Sequence, residues 1–327
     1  MSGLRLAALA VAAILAGNAQ AARPIELMSF PGGFNWPLWV ATDRGFASAE
    51  GLEIHIHPAP GSVVQMKGLA AGTFDIAIST IDNVIAYDEG QGEVAIEPAP
   101  DFFAFMGAQY GAVRLVAQSD VYSIAELRDR SLAVDAETTG YAFVLRKLLQ
   151  KGGLERRDYR LEPLGGTGKR AEALMEGKTA ATILTSPLEV VPESRGFQRL
   201  ANAVDEIGPY QALVGVARRG WARDNPETMV AFIRAYVRAL DWLCEPANRD
   251  EAVAIYRKHA PAVSEENARL SWDTLVPGPE GFERNGRLDR PGIETVLALR
   301  REFGKPGAVL GPPEKYVDET YLRRALP

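Results

Sequence analysis

The 327-residue sequence predicts an α/β protein of two similar lobes, and three observations carry that expectation. Strand-like and helix-like patterns alternate from residue 25 to 79, an order that calls for parallel strands joined by right-handed crossovers. The same order returns after residue 131, with a local echo of the first half. A late apolar run at 210–217 then leads back to the first lobe. At this length the chain buries a large core and divides into two domains of ordinary size.

The elements follow in order. Residues 25–29 form the first strand, and a Gly32-Gly33 loop leads to a helix. Asn35 or Trp36 precedes its first turn, Pro37 is tolerated there because its missing N–H would have no partner, and Gly45 stops it. Residues 52–57 alternate apolar and polar, a strand with one buried face. His55 and His57 share its outward face and are too few for a metal site. Ser62 is the expected cap of a helix bearing Met66, Leu69 and Ala70 and ending at Gly72. Residues 74–79 make a third strand, buried on both faces.

Residues 88–100 are rich in turn formers and acids and read as a surface loop. Strands follow at 102–106 and 112–117. Ser123 and Glu126 have capping-box spacing and open a short helix. The opening pattern then returns as a strand at 131–134, a polar mouth at 135–140 and a helix at 141–151 with Leu145, Leu148 and Leu149 inward. Residues 153–155 echo 51–53, and 173–183 echo 68–78, each a helix end, a glycine stop and a buried strand. The Gly165-Gly166-Thr167-Gly168-Lys169 segment lacks phosphate-loop spacing, since Arg170 follows Lys169, and reads as a tight strand-to-helix turn. Ser186-Pro187-Leu188-Glu189 is a second capping box with Pro at the first helical position. Helices at 226–244, 249–259, 265–274 and 291–303 complete the chain, with a break at 276–279. Cys244, the only cysteine, excludes an internal disulfide and lies on the apolar stripe of its helix.

At the N-terminus, Arg5, the apolar run 6–16 and the small residues Ala19 and Ala21 predict a secretory leader cut after Ala21, too short to span a bilayer. The expected division is leader 1–21, first part of lobe 1 at 22–112, lobe 2 at 113–211, and the return strand and C-terminal helices of lobe 1 at 212–327. A net charge of −6, from 36 basic and 42 acidic residues, argues against nucleic acid or an anionic membrane as partner. The expectation is a monomer working outside the cytoplasmic membrane.

Open parallel sheets bind ligands beyond the carboxyl ends of their strands, where helix N-termini present unpaired N–H groups. Phe34, Asn35 and Trp36 form one such mouth, an aromatic and amide wall. Ser62 and Val63 begin a helix whose N–H groups suit a carboxylate or sulfonate. Thr80, Asp82 and Asn83 follow the third strand as caps or contacts. Glu137, Thr138, Thr139, Gly140 and Tyr141 hold the equivalent place in the second lobe, and Tyr210 and Gln211 stand where the return strand crosses. Phe34, Trp36, Tyr141 and Tyr210 favour a ligand with a flat or apolar body, and Asp82 with Glu137 would tolerate an amine. Lys169 and Arg170 are the only nearby cations. No cofactor, metal or catalytic residue is expected.

Residues Trp36-Pro37-Leu38-Trp39-Val40-Ala41 through Phe46, Glu50-Gly51-Leu52-Glu53-Ile54 and Gly68-Leu69-Ala70-Ala71-Gly72-Thr73-Phe74-Asp75 resemble the solute-binding proteins of ABC importers for nitrate, taurine, sulfonates and thiamin-pyrimidine precursors. Residues 124–134 and 174–181 are similar to the second-lobe pattern of that family. The resemblance implies a periplasmic-binding-protein-like type II fold with a hinge and a central cleft, closing on a small-molecule ligand that passes to an ABC transporter permease. Ala180 stands where family members often have Asp, and the Cys-rich motif of the pyrimidine branch is absent. Two other readings stay open: an enzyme on the same fold, akin to pyrimidine synthases or chorismate-type dehydratases, and a ligand-sensing partner of a membrane receptor. An enzyme would need a tuned acid, base or nucleophile. Asp82 and Glu137 are the only acids picked out in the mouths, with no His or Cys nearby.

Overall fold

In the computed structural model, which describes residues 22–276 and 281–326, the strands fall into two five-stranded sheets. The chain runs through β1 (Arg23–Ser29), β2 (Leu52–Pro58), β3 (Ile76–Thr80), β4 (Phe102–Tyr110), β5 (Val113–Ala117), β6 (Ser131–Val134), β7 (Arg160–Pro163), β8 (Ala181–Thr185), β9 (Gln198–Asn202) and β10 (Gln211–Arg218). One sheet has the order β2-β1-β3-β10-β4, the other β7-β6-β8-β5-β9. Three strands of each are parallel, β1 pairing with β2 and β3, and β6 with β7 and β8. The fourth strand, β10 or β5, is antiparallel to both of its neighbours. The two sheets thus share one topology.

The fourth strand of each sheet connects directly to the other half of the chain. Where the chain crosses between sheets, Gly111 N–H donates to the Tyr210 carbonyl at 2.9 Å, and Gln211 pairs with Tyr110. These two segments lie side by side, and together they form the seam between the lobes.

One apolar core packs β1, β2 and β10 against the helices Trp36–Asp43, Pro226–Leu243, Arg249–His259 and Thr320–Ala325. A second runs from helix Ile81–Asp88 and helix Arg290–Phe303 into lobe 2, where it meets helix Gly140–Lys151. Cys244 is buried. Gly72 and Gly177 stand at equivalent helix ends with φ of 76° and 73°, a left-handed turn that side chains with a Cβ resist. That constraint underlies the echo between the two halves.

Three expected caps differ. Gly61, not Ser62, is the N-cap of helix Ser62–Ala71, and Ser62 is its first residue. At Ser123 the chain makes only the 3₁₀ turn Ile124–Leu127, because Glu126 accepts from Tyr122 N–H at 2.8 Å instead of closing a box. At Ser186 the backbone N–H is taken by the Ala112 carbonyl at 2.8 Å and the hydroxyl bonds the Glu189 carboxylate, so the helix starts later, at Val190–Ser194. The strands β7 and β9 and the helices Ala203–Ile207 and Thr320–Ala325 add to what periodicity predicts. The expected leader lies outside the described residues, as do residues 277–279 of the expected break.

Candidate functional site

The repeat places equivalent residues opposite one another. Phe30 follows β1 as Asp135 follows β6, Thr80 ends β3 as Thr185 ends β8, and helices Ser62–Ala71 and Thr167–Met175 start beside them. Gln65 and Arg170 hold the same position, three residues after the first of each helix. The Gln65 amide donates to the Met28 and Ile78 carbonyls at 3.2 and 3.0 Å, tying its helix to two strands. Arg170 ties its helix to β8 and to the preceding loop in lobe 2. Its Nη1 donates to the Ile183 carbonyl at 2.7 Å and the Thr182 hydroxyl at 3.3 Å, its Nε to Gly165 O and its Nη2 to Thr167 Oγ1 at 2.8 Å.

Between these strand ends lies a narrow, partly open cleft. Lobe 1 lines it with Phe30, Phe34, Thr80, Asn83 and Leu213, and lobe 2 with Asp135, Thr139, Gly140, Tyr141, Gly166, Thr167, Arg170 and Thr185. The lobe 1 wall is mostly apolar, and its polar groups are engaged. Thr80 caps its own helix by accepting from Asn83 N–H at 3.3 Å, and the Asn83 amide donates to Ser79 Oγ at 3.0 Å. The lobe 2 wall carries charge and open hydroxyls. Arg170 is 2% exposed and pairs with no carboxylate among the described residues. Burial lowers its pKa, and the nearby charge of Asp135 works the other way. A guanidinium does not deprotonate in proteins, so the floor of the cleft is cationic. The Tyr141 hydroxyl leans toward Thr185, yet neither oxygen has a hydrogen bond of normal geometry. Burial pushes the Tyr141 phenol up to about 12, so it stays a donor. Unsatisfied buried hydroxyls cost free energy unless something supplies their partners.

The lobes also touch directly. The Ser62 hydroxyl donates to Asp135 Oδ2 across the cleft mouth at 2.8 Å. A Cβ on Gly140 would sit 2.6 Å from Asp82 Cβ, so only glycine allows helix Gly140–Lys151 to approach Asp82 this closely.

Of the residues singled out from sequence, Phe34, Thr80, Asn83, Thr139, Gly140 and Tyr141 line the cleft. The others stand elsewhere. Trp36 is fully buried in the core, its Nε1 donating to the Ala252 carbonyl at 3.0 Å and its ring 4.5 Å from that of Tyr256. The Asn35 amide donates to Phe30 O at 2.7 Å, bracing the loop from behind. Ser62 serves the lobe contact, and Val63 is half-buried beside it. Asp82 is held by two donors of Arg300, at 2.8 and 2.6 Å, and is not free to receive an amine. Glu137 is exposed and pairs with Arg156 at 3.0 Å, and the Thr138 hydroxyl donates to Glu93. Tyr210 lies behind Tyr141, ring centroids 6.3 Å apart, and Gln211 donates to Gln109 O and Leu213 O. Lys169 is exposed, outside the lining.

Phe30, Asp135, Gly166, Thr167, Thr185 and Leu213 are cleft residues that were not singled out, and Arg170, named only as a nearby cation, joins them. Topology could have found most of them, because each follows or ends a parallel strand or begins the next helix. Among the described residues no group of three or more His, Cys, Asp or Glu side chains is placed to hold a metal ion, and no helix is long and apolar enough to cross a membrane.

Known proteins share this architecture. A family model described as NMT1/THI5 like matches residues 35–249. The chain is 25% identical over 226 residues to YtlA of Bacillus subtilis (strain 168), named as a candidate binding protein, covering 68% of this chain and 66% of YtlA, just under two thirds of that relative. The periplasmic nitrate-binding protein NrtA from Synechocystis PCC 6803 superposes with a TM-score of 0.76 at 13% identity, over 93% of this chain and 88% of its own. The alkanesulfonate-binding protein SsuA from Xanthomonas axonopodis pv. citri, bound to MOPS, gives 0.67 at 15% identity, over 93% and 94%. The desulfurization enzyme DszB also has this fold, with a TM-score of 0.61 at 14% identity, over 93% and 99%. The fold is therefore the two-lobed one of periplasmic binding proteins, and the match across residues 35–249 makes this chain a member of the NMT1/THI5-like family.

Proposed function

We propose that this protein is the extracytoplasmic solute-binding subunit of an ABC importer, and that it captures a small organic anion, a carboxylate or sulfonate, by closing two lobes around it. The observation that carries the ligand class is the exchange of Gln65 for Arg170 at one repeated position. A neutral amide does the structural work in lobe 1, so the fold has no need of the charge in lobe 2. Burying an unpaired guanidinium is costly, and an anionic ligand would offset that cost. Tyr141 and Thr185 supply further hydroxyls, and Phe30 with Phe34 suits an apolar body.

In this reading residues 22–112 with 212–327 move against 113–211, the crossing segments acting as hinge. The leader is removed after Ala21, the mature chain works as a periplasmic monomer, and an ABC permease receives the solute. Among the described residues no His or Cys lines the cleft, and the one carboxylate that does, Asp135, is engaged by Ser62, which favours binding over chemistry. The test is thermal-shift screening against sulfonates, aliphatic and aromatic carboxylates, and uncharged pyrimidines, since a ligand of the native state raises the melting temperature. Shifts confined to anions and lost in Arg170→Gln support the proposal. Shifts from uncharged compounds alone, or turnover of a bound compound, overturn it.

A further inference from the structure

A second opening lies away from the cleft, where the C-terminal end of helix Arg290–Phe303 meets lobe 2. It is an open groove with walls from both lobes. Lobe 1 contributes Gln91, Phe303, Gly304 and Lys305, and lobe 2 contributes Thr138, Phe143 and Arg146.

Its charges do not cancel. Arg300 is neutralised by Asp82 in a pair whose side chains are each 1% exposed, and Glu137 on the rim is taken by Arg156. Arg146 and Lys305 have no carboxylate partner among the described residues. Arg146 gives one N–H to the Phe303 carbonyl at 3.2 Å. Its guanidinium lies 4.6 Å from the Phe303 ring centre, Arg300 lies 5.0 Å from that of Phe143, and the two rings are 6.2 Å apart. With each ring already carrying a cation, the groove offers charge in preference to a bare stacking surface.

A polar side chain completes it. Gln91 is 7% exposed, and its Oε1 has no hydrogen-bond partner. A Cβ on Gly304 would lie 3.0 Å from that oxygen, so glycine there lets the backbone pass close to the buried amide. The groove is therefore lined by two cations, with an unpartnered amide acceptor buried in its wall, a set that fits an anion whose own O–H can reach that oxygen.

We infer that this groove is a second ligand site, for a protonated oxyanion of which hydrogen phosphate is the simplest. Arg146 of lobe 2 and Lys305 of lobe 1 hold the charge, and Gln91 accepts the proton-bearing oxygen. Because the anchors belong to different lobes, occupancy favours the lobes together and tightens solute binding in the cleft by the same factor that solute tightens the anion. That coupling rests on the proposed closure; the anion site itself does not.

The experiment measures melting temperature against inorganic phosphate, with sulfate at equal ionic strength as the oxyanion lacking an O–H. It uses the wild type, Lys305→Glu at an exposed position, Arg146→Gln, and the cleft double variant Tyr141→Phe/Thr185→Val. Phosphate is expected to stabilise the wild type and the cleft variant alike, and more than sulfate. Lys305→Glu and Arg146→Gln should bind phosphate about tenfold more weakly. Equal responses to phosphate and sulfate, no phosphate response in the wild type, or a response lost in the cleft variant and kept in Lys305→Glu overturn the assignment. If no organic anion binds the cleft while the Lys305-dependent response persists, this site stands and the importer reading falls.

Discussion

Lobe 1 and lobe 2 share a topology and differ in what they present to the cleft between them. At matched positions lobe 1 has Phe30, Thr80 and Gln65, and lobe 2 has Asp135, Thr185 and Arg170. The Thr80 hydroxyl serves its own helix, and that of Thr185 has no hydrogen bond of normal geometry. Lobe 1 also carries the core built by the C-terminal helices. Under the proposed function this difference is a division of labour in which lobe 1 is scaffold and apolar wall, and lobe 2 holds the atoms that would recognise charge.

The largest expected effect separates stability from recognition. Trp36→Ala removes a fully buried ring from the lobe 1 core and should cost about 3–5 kcal/mol in denaturant unfolding. The affinity of the protein that remains folded should not change; a ligand-specific loss would place Trp36 in recognition after all. Arg170→Gln is expected to do the opposite. Calorimetry should show anion affinity falling about 10- to 100-fold, the worth of a hydrogen bond to a charged group, with unfolding stability kept or improved because a buried charge is gone. Equal loss from Gln65→Ala and Arg170→Gln in the binding assay would erase the contrast between lobes.

Smaller changes sharpen it. Tyr141→Phe and Thr185→Val should each weaken binding by about 0.5–1.5 kcal/mol, read by titration, at little cost to stability because neither hydroxyl is well satisfied in the protein. The smallest effect lies in lobe 1, away from the cleft. Glu26 accepts from both His55 and His57, which lowers the Glu26 pKa, while Glu26 and then Glu53 raise that of His55. The raised His55 contributes stability below its ordinary 6.5 that is lost as pH rises through the folded value. The lowered Glu26 contributes above its ordinary 4.5 and loses it on acidification. The difference in melting temperature between wild type and His55→Ala should therefore be larger near about pH 5.5 than near about pH 8.5, with no change in ligand affinity.

The succession of strands and helices along the chain was legible in the sequence because glycine stops and alternation are local. Gly72 and Gly177 mark helix ends through their backbone conformation alone, and the late run at 210–217 was expected to return to the first lobe, where β10 lies between β3 and β4. The site was half legible. Thr80, Asn83, Gly140 and Tyr141 follow from their place at strand ends, but Trp36 and Asp82 read as cleft groups until their distant partners, Ala252 and Arg300, are seen. No local pattern reports a partner more than 200 residues away. Arg170 was named only as one of two nearby cations, since its role shows when it is set beside Gln65 in three dimensions.

Closure over the cleft is tested most directly by the distance between the lobes. Spin labels at Tyr122→Cys and Val309→Cys, 72% and 88% exposed and placed one on each lobe, in a Cys244→Ser background, report that distance with and without the tightest-binding anion of the screen. The account predicts a shorter and narrower distribution on binding, and a smaller response in Arg170→Gln at the same concentration. A distribution unchanged by saturating ligand would contradict it.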